Sequence, residues 1–177
     1  MAPEARVRTA KKADLPAILE IYNHQIKTSA ATFDLEPMTL SQRKGWFLKH
    51  VRRHPLIVAE LGGRVVGYAS LSGFRDKPGY FNSAENSVYV DREYQGRGIG
   101  KLLMKEILSR ATKIGYHTIV AGIAPPNEPS VRLHKSLGFK FVGSFREVGY
   151  KFSAWQDVDF YQLMLPNSTP PKGSTPP

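Results

Sequence analysis

A β-branched run, Ser87-Val88-Tyr89-Val90, leads through Asp91-Arg92-Glu93-Tyr94 into Gln95-Gly96-Arg97-Gly98-Ile99-Gly100, where three glycines alternate and an apolar helical pattern begins at once. Lacking Cβ atoms, such a turn can aim successive main-chain N–H groups into one concavity. The helix that follows adds the unpaired donors of its first turn and about half a positive charge. Arg97 and Lys101 add formal charge beside it. The chemistry this suits is the grip of an anion, a phosphate or pyrophosphate. The segment is not a P-loop, because Lys101 is followed by Leu102 rather than Ser or Thr. Nor is it a dinucleotide fingerprint, since the spacing is Gly-x-Gly-x-Gly and the segment sits mid-chain. The bland alternative is a glycine-rich turn with only a structural role.

The elements around this turn follow from periodicity. A strand at Arg6–Thr9 precedes Asp14, which is expected to cap a helix over Leu15–Lys27 with Leu15, Ile18, Leu19, Tyr22 and Ile26 at helical spacing. A second helix is expected from Ser41 to about Arg53, with Trp46 and Phe47 in the core and Arg43, Lys44, Lys49, Arg52 and Arg53 as a solvated basic face. Leu56–Leu61 and Arg64–Leu71 flank Gly62-Gly63, a hairpin signal. Glu85–Val90 reads as a strand. Ile99–Ile114 reads as a helix with Leu102, Leu103, Leu108 and Ala111 inward, ended by Gly115. A strand at Thr118–Ile123, a helix over Ser130–Leu137 and strands near Lys140–Val148 and Asp157–Leu165 complete the body. Strands before, between and after helices predict a mixed α/β sheet in one domain over residues 1–165. Residues 166–177, rich in Pro, Ser and Thr, are expected to form a flexible tail.

Composition narrows the function classes. The 177 residues are 41% apolar and 23% charged, as in a soluble globular domain. No apolar run approaches the ~20 residues of a membrane span, and Met1–Arg6 has no signal-peptide core. Cysteine is absent, which removes thiolate metal sites and cysteine nucleophiles and makes a reducing cytoplasm the expected compartment. No metal is expected either: the five histidines are scattered, without ligand spacing. A net charge of +10 invites an anionic partner, although a solubilising surface explains it equally well.

Gln95-Gly96-Arg97-Gly98-Ile99-Gly100 resembles the Gln/Arg-x-x-Gly-x-Gly/Ala signature of the GCN5-related N-acetyltransferase (GNAT) superfamily. The resemblance extends through Ile21–His24, Ala31–Phe33, Glu85–Val90, Asn127–His134, Leu137–Phe139 and Gly149–Val158, and is closest to the phosphinothricin and methionine sulfone/sulfoximine acetyltransferase branch. It covers nearly the whole body. What it implies is a GNAT fold, a mixed and mostly antiparallel sheet flanked by about four helices, with splayed central strands and acetyl-CoA as co-substrate. It implies that Gln95, Gly96, Arg97, Gly98, Ile99, Gly100 and Lys101 hold the pyrophosphate. Main-chain groups of Val88, Tyr89 and Val90, on a bulged strand, would bind the pantetheine arm and the thioester oxygen. Asn127 and Ser136 match positions that contact the CoA chain. The resemblance assigns the base to Glu85, just before the cofactor strand, and places His134 where many relatives carry a tyrosine that protonates the departing thiolate; His24 and His117 are read as structural. It also implies a homodimer.

On the acceptor side, Arg75 lies in a segment resembling the one that faces an amino-acid substrate, and an arginine there can clamp a carboxylate. Asp76 and Lys77 accompany it, and Phe33 would form an apolar wall. The stretch from Lys77 to Ala84 departs from the branch, and Met104 stands at a tyrosine position, which leaves the preferred side chain open. The expected reaction is acetylation of a small amino acid or analogue. A polyamine, aminoglycoside or peptide N-terminus is the alternative acceptor, and an idle acetyl-CoA- or nucleic-acid-binding domain the alternative class. The cationic surface disfavours cationic acceptors, and the lack of aromatics interleaved with the basic face disfavours nucleic acid.

Overall fold

The computed structural model describes residues 4–50 and 53–166. The expected C-terminal tail lies, beyond Pro166, outside the described residues. Strands β1 (Arg6–Thr9), β2 (Leu56–Leu61), β3 (Arg64–Gly73), β4 (Ser83–Val90), β5 (Thr118–Ile123), β6 (Lys140–Lys151) and β7 (Ala154–Met164) form one seven-stranded sheet in the order β1-β2-β3-β4-β5-β7-β6. Helices α1 (Leu15–Thr28), α2 (Leu40–Leu48), α3 (Ile99–Ile114) and α4 (Glu128–Ser136) flank it. Neighbouring strands are antiparallel except β4 and β5. The two faces carry separate cores. Ile99, Leu103, Met104, Ile107 and Ala111 of α3 pack one face, and Ile18 and Ile21 of α1 pack the other against Val58 and Tyr68.

Several expectations needed correction. Asp14 does not cap α1. Its carboxylate accepts from Arg8 Nη1 and Nη2 at 2.7 and 2.9 Å and from the Lys11 N–H at 2.6 Å, because a charged partner on β1 outcompetes the helix end. α2 stops at Leu48 and is capped instead by Thr39, which accepts from Gln42 N. Arg43 is not on a solvated face: it is 2% exposed, donates to the Tyr68 hydroxyl at 2.7 Å, and has its guanidinium 3.5 Å from the Trp46 ring centroid. Aromatic faces can hold a guanidinium where a lysine would fail. Leu102 points outward, since the buried stripe of α3 is set by Ile99 and passes through Met104 and Ile107.

One topological feature prepares the site. β4 pairs with β5 only at Ser83↔Thr118, Ala84↔Ile119 and Glu85↔Val120, although β4 runs on to Val90 and β5 to Ile123. Beyond Glu85 the two central strands part. The bulge implied for β4 is absent: β3 and β4 stay in one unbroken register from Gly73↔Ala84 to Gly67↔Val90. Divergence of β5, not an inserted residue, frees the edge of β4.

Candidate active site

The parting strands open a cavity of about 1140 Å³ that runs from the α1–α2 loop, past β4, to the starts of α3 and α4. Along its wall the main chain offers free donors. The Asp91 N–H bonds to Val66 O at 2.9 Å and Ser83 O accepts from Phe74 N, so odd-numbered positions of β4 face β3. By strand alternation the N–H groups of Val88 and Val90 face the cavity. Tyr89 is therefore a correction: its main chain belongs to the ladder with β3, and it contributes its ring, whose hydroxyl donates to Ala31 O at 3.1 Å.

The glycine turn takes the form its spacing suggested. Gly96 and Gly98 have φ of +74° and +79°, the left-handed region that L side chains resist. Gly98 is the N-cap of α3, and the first helical bond runs from Leu102 N to its carbonyl. The N–H groups of Ile99, Gly100 and Lys101 thus have no partner within the helix. Gln95, Gly96, Gly98, Ile99, Gly100 and Lys101 all line the cavity, and Gln95 Nε2 donates to Val90 O at 3.2 Å, closing the turn onto β4. Arg97 does not line it. Between two left-handed glycines its side chain is turned outward, 5.1 Å from the Tyr94 ring centroid. Gly100 lets α4 approach, because a Cβ there would stand 3.3 Å from Leu133 Cδ2. A helix start, unpaired donors and a lysine together fit an anionic diphosphate.

Glu85 stands where β4 and β5 separate. Its carboxylate makes no hydrogen bond or ion pair among the described residues, and burial alone raises its pKa above the ordinary glutamate value. Gly122 keeps the space beside it open: a Cβ there would sit 3.5 Å from Oε1 and 3.3 Å from Val158 Cγ1. A partly buried, unpartnered carboxylate in a cleft has the character of a general base.

His134 is brought to the same cavity but is bonded at both ring nitrogens. Nδ1 lies 2.8 Å from Ser130 O and Nε2 3.0 Å from Asn86 Nδ2. A carbonyl needs a donor, so Nδ1 carries a proton, while the role of Nε2 follows the orientation of the Asn86 amide, whose Oδ1 is buried without a partner among the described residues. Burial depresses its pKa, opposed by the bond to Ser130. In this arrangement His134 ties α4 to β4, and its Nδ1 proton is committed to Ser130 O. His134→Gln is accordingly expected to lower the melting temperature while leaving kcat within about tenfold of wild type, with the alkaline limb of the pH profile unmoved. Loss of that limb would make His134 an acid.

The remaining residues divide. Asn127 lines the cavity, though its Oδ1 is used as the cap of α4, accepting from Ser130 N. Ser136 is exposed, donates to Leu133 O at 2.8 Å and is outside the cavity wall. Phe33 lines the cavity at its α1–α2 loop end. Arg75, Asp76 and Lys77 do not. They lie exposed on the β3–β4 loop beyond Ser72, the last wall residue of β3. Arg53 anchors the far end of that loop, donating to Phe81 O and Asn82 Oδ1 at 2.8 and 2.6 Å. Periodicity had also passed over Gly122, although a lone glycine inside a strand often marks a close approach.

An unpartnered carboxylate at the fork of a splayed sheet, flanked by free strand amides and an anion cradle, suits a transferase that takes a proton from one substrate beside a bound anionic co-substrate. The chain matches the Acetyltransferase (GNAT) family over residues 18–139. It is 41% identical to the phosphinothricin N-acetyltransferase of Streptomyces coelicolor over 92% of this chain and 97% of that one. To the L-methionine sulfoximine/L-methionine sulfone acetyltransferase of Salmonella typhimurium it is 39% identical, over 93% and 97%. The crystal structure of a GNAT superfamily phosphinothricin acetyltransferase from Sinorhizobium meliloti in complex with AcCoA superposes with a TM-score of 0.91, at 33% identity, covering 98% of this chain and 96% of that one. This chain belongs to the GNAT acetyltransferase family and is an N-acetyltransferase by family and by fold.

Proposed function

We propose that this protein transfers the acetyl group of acetyl-CoA to the amino group of a small amino acid or amino-acid analogue, of the methionine sulfone, methionine sulfoximine or phosphinothricin type. The observation that carries the reading is Glu85 at the fork of β4 and β5, between the cradle at residues 95–101 and the α1–α2 loop. The named activities of the relatives support the acceptor class.

Acetyl-CoA supplies an activated carbonyl, and this chain's residues do the rest. An amine arrives protonated, and removing its proton near neutrality costs about 1–5 kcal/mol. Glu85 takes that proton, directly or through one water, its raised pKa making it a better base than a solvated carboxylate. The N–H groups of Val88 and Val90 face the place where negative charge grows on the carbonyl oxygen, and each well-aimed donor is worth about 2.7–4 kcal/mol. The first turn of α3 and Lys101 hold the diphosphate and so orient the thioester against β4. With both ring nitrogens of His134 engaged, the proton for the leaving thiolate comes from solvent or from the attacking nitrogen, which bears an extra proton in the tetrahedral intermediate and loses it as the amide forms.

A homodimer and a cytoplasmic location belong to the same proposal. β6 is an edge strand, and Phe141, Phe145, Val148, Tyr150 and Trp155 on the β6–β7 hairpin are each more than half exposed. A long apolar edge is normally covered, here by a second copy. The absence of cysteine suits a reducing compartment. No helix among the described residues is long and apolar enough to cross a membrane.

An acetyl-CoA consumption screen decides the acceptor. Amino acids and their sulfone, sulfoximine and phosphinyl analogues are expected to be turned over, while polyamines and aminoglycosides are not. Selective turnover of polyamines would reverse the assignment.

A further inference from the structure

The segment Gly149–Val158 carries part of the family resemblance, yet none of the chemistry above uses it. At the end of β6, Gly149 and Lys151 alternate with Val148, Tyr150 and Phe152. The second set is exposed; the first set meets the α1–α2 loop. Lys151 is only 3% exposed, and its ammonium donates to two main-chain carbonyls rather than to a carboxylate, Ser29 O at 2.9 Å and Thr32 O at 2.6 Å. One residue further on, the Phe33 ring lies over Gly149. A Cβ added at Gly149 would come within 2.6 Å of Phe33 Cδ1 and closer still to Cε1, a separation real Cβ atoms do not show. Ser29, Thr32 and Phe33 all line the acceptor end of the cavity. The loop is held from its other side by Tyr22, whose hydroxyl donates to Asp34 and also lies 2.7 Å from Thr32 Oγ1, and by Tyr89. Those contacts come from α1 and β4, beside the loop. Lys151 and Gly149 come from the opposite edge of the sheet.

We propose that Gly149 and Lys151 are positioning residues that set acceptor specificity: they form a seat fixing how far Phe33 and residues 29–32 reach into the cleft. The inference rests on the reading of that loop as the acceptor wall. Glycine at 149 sets the depth of the ring, since any side chain lifts Phe33 toward the cavity. The lysine fixes the loop's path, because one ammonium with several donors can bridge two carbonyls three residues apart. A desolvated cation hydrogen-bonded only to carbonyls, with Asp34 acting on it at longer range, is a costly way to hold a loop. Its presence here matches a loop whose position has a function.

The test uses Gly149→Ala and Lys151→Met with methionine sulfone, methionine sulfoximine and phosphinothricin. Gly149→Ala is expected to change the ratio of kcat/KM between the largest and smallest of these acceptors by about fivefold, on the scale of one methylene in a pocket. Lys151→Met should raise KM for all three about fivefold, with kcat and the calorimetric Kd for acetyl-CoA within about twofold. Phe33→Leu placed on Gly149→Ala should restore the wild-type ratio, which a merely unstable variant would not. Hydrogen exchange gives a readout independent of acceptor: in Lys151→Met the amides of residues 29–34 should exchange about tenfold faster, while those of 99–104 do not change. Unchanged exchange overturns the seat. Faster exchange with unaltered acceptor ratios and KM overturns its role in specificity. Wild-type protein that acetylates none of the three sinks the acceptor reading, and with it the assignment of specificity to the seat.

Discussion

Glu85→Gln is expected to lower kcat by about 10²–10⁴-fold near pH 7, the usual contribution of a positioned base, while the Kd for acetyl-CoA stays within about twofold. The amide keeps the shape and removes the proton acceptor. The split follows from placement: Glu85 stands at the fork, whereas the cradle lies beyond Val90. The pH dependence carries a sign. Burial raises the Glu85 carboxyl above the ordinary value, so the acid limb of kcat/KM in the wild type should fall at higher pH than an exposed glutamate would give. In the variant that limb should vanish. The same shift bears on stability. A carboxyl raised in the folded state favours folding when protonated, and that contribution is lost as pH rises through the folded value. Glu85→Gln should therefore melt at a higher temperature than wild type at neutral pH, with the gap closing in acid. Thermal melts at a series of pH values check this. A variant that is slower but not more stable at neutral pH would mean that the carboxylate is well solvated, against the structure.

The second large effect falls on binding. Gly98→Val puts a β-branched side chain at φ +79°, in the left-handed region that costs L residues about 1–2 kcal/mol. No neighbour stands within 4 Å of the added Cβ, so the penalty is conformational rather than a clash. It is relieved only by rotating the N-cap of α3, which swings the free N–H groups of Ile99, Gly100 and Lys101 off their common target. Calorimetry should show acetyl-CoA binding weakened about 5–30-fold, the strain converted at 1.4 kcal/mol per decade. The kcat at saturating thioester should change much less, since Glu85 and β4 are not displaced. Unchanged affinity would remove the diphosphate from this turn.

Both predictions concern features legible in the chain, and the reason is locality. The turn at Gly96–Gly100, the limits of α3 and β5 and the Gly62-Gly63 hairpin each follow from a few adjacent residues whose φ preferences or periodicity decide the outcome. What the chain did not disclose has the opposite character. Arg43 looked like one charge among several on a basic face, and it is buried because Tyr22, Trp46 and Tyr68 converge on it from three elements. Asp14 looked like a cap until Arg8 was placed beside it. His134 occupies a position that suggests an acid, and only folding brought Asn86 and Ser130 within reach of its two nitrogens. Arg75 stands in a segment that suggests a carboxylate clamp, and in the folded chain it is exposed on a loop outside the cavity wall, anchored at its far end by Arg53.

Taken alone, the order of residues determined the family, the α/β class, the glycine turn at the start of α3 and the carboxylate to which the proposal gives the proton. These rest on backbone geometry and side-chain chemistry written into short segments. Folding decided that β5 leaves β4 at Glu85 without a bulge, which amides of β4 are free, and that Lys151 and Gly149 meet a loop more than a hundred residues away. No local preference encodes such meetings, because they depend on the packing of the whole sheet and on which partner reaches a buried polar group first.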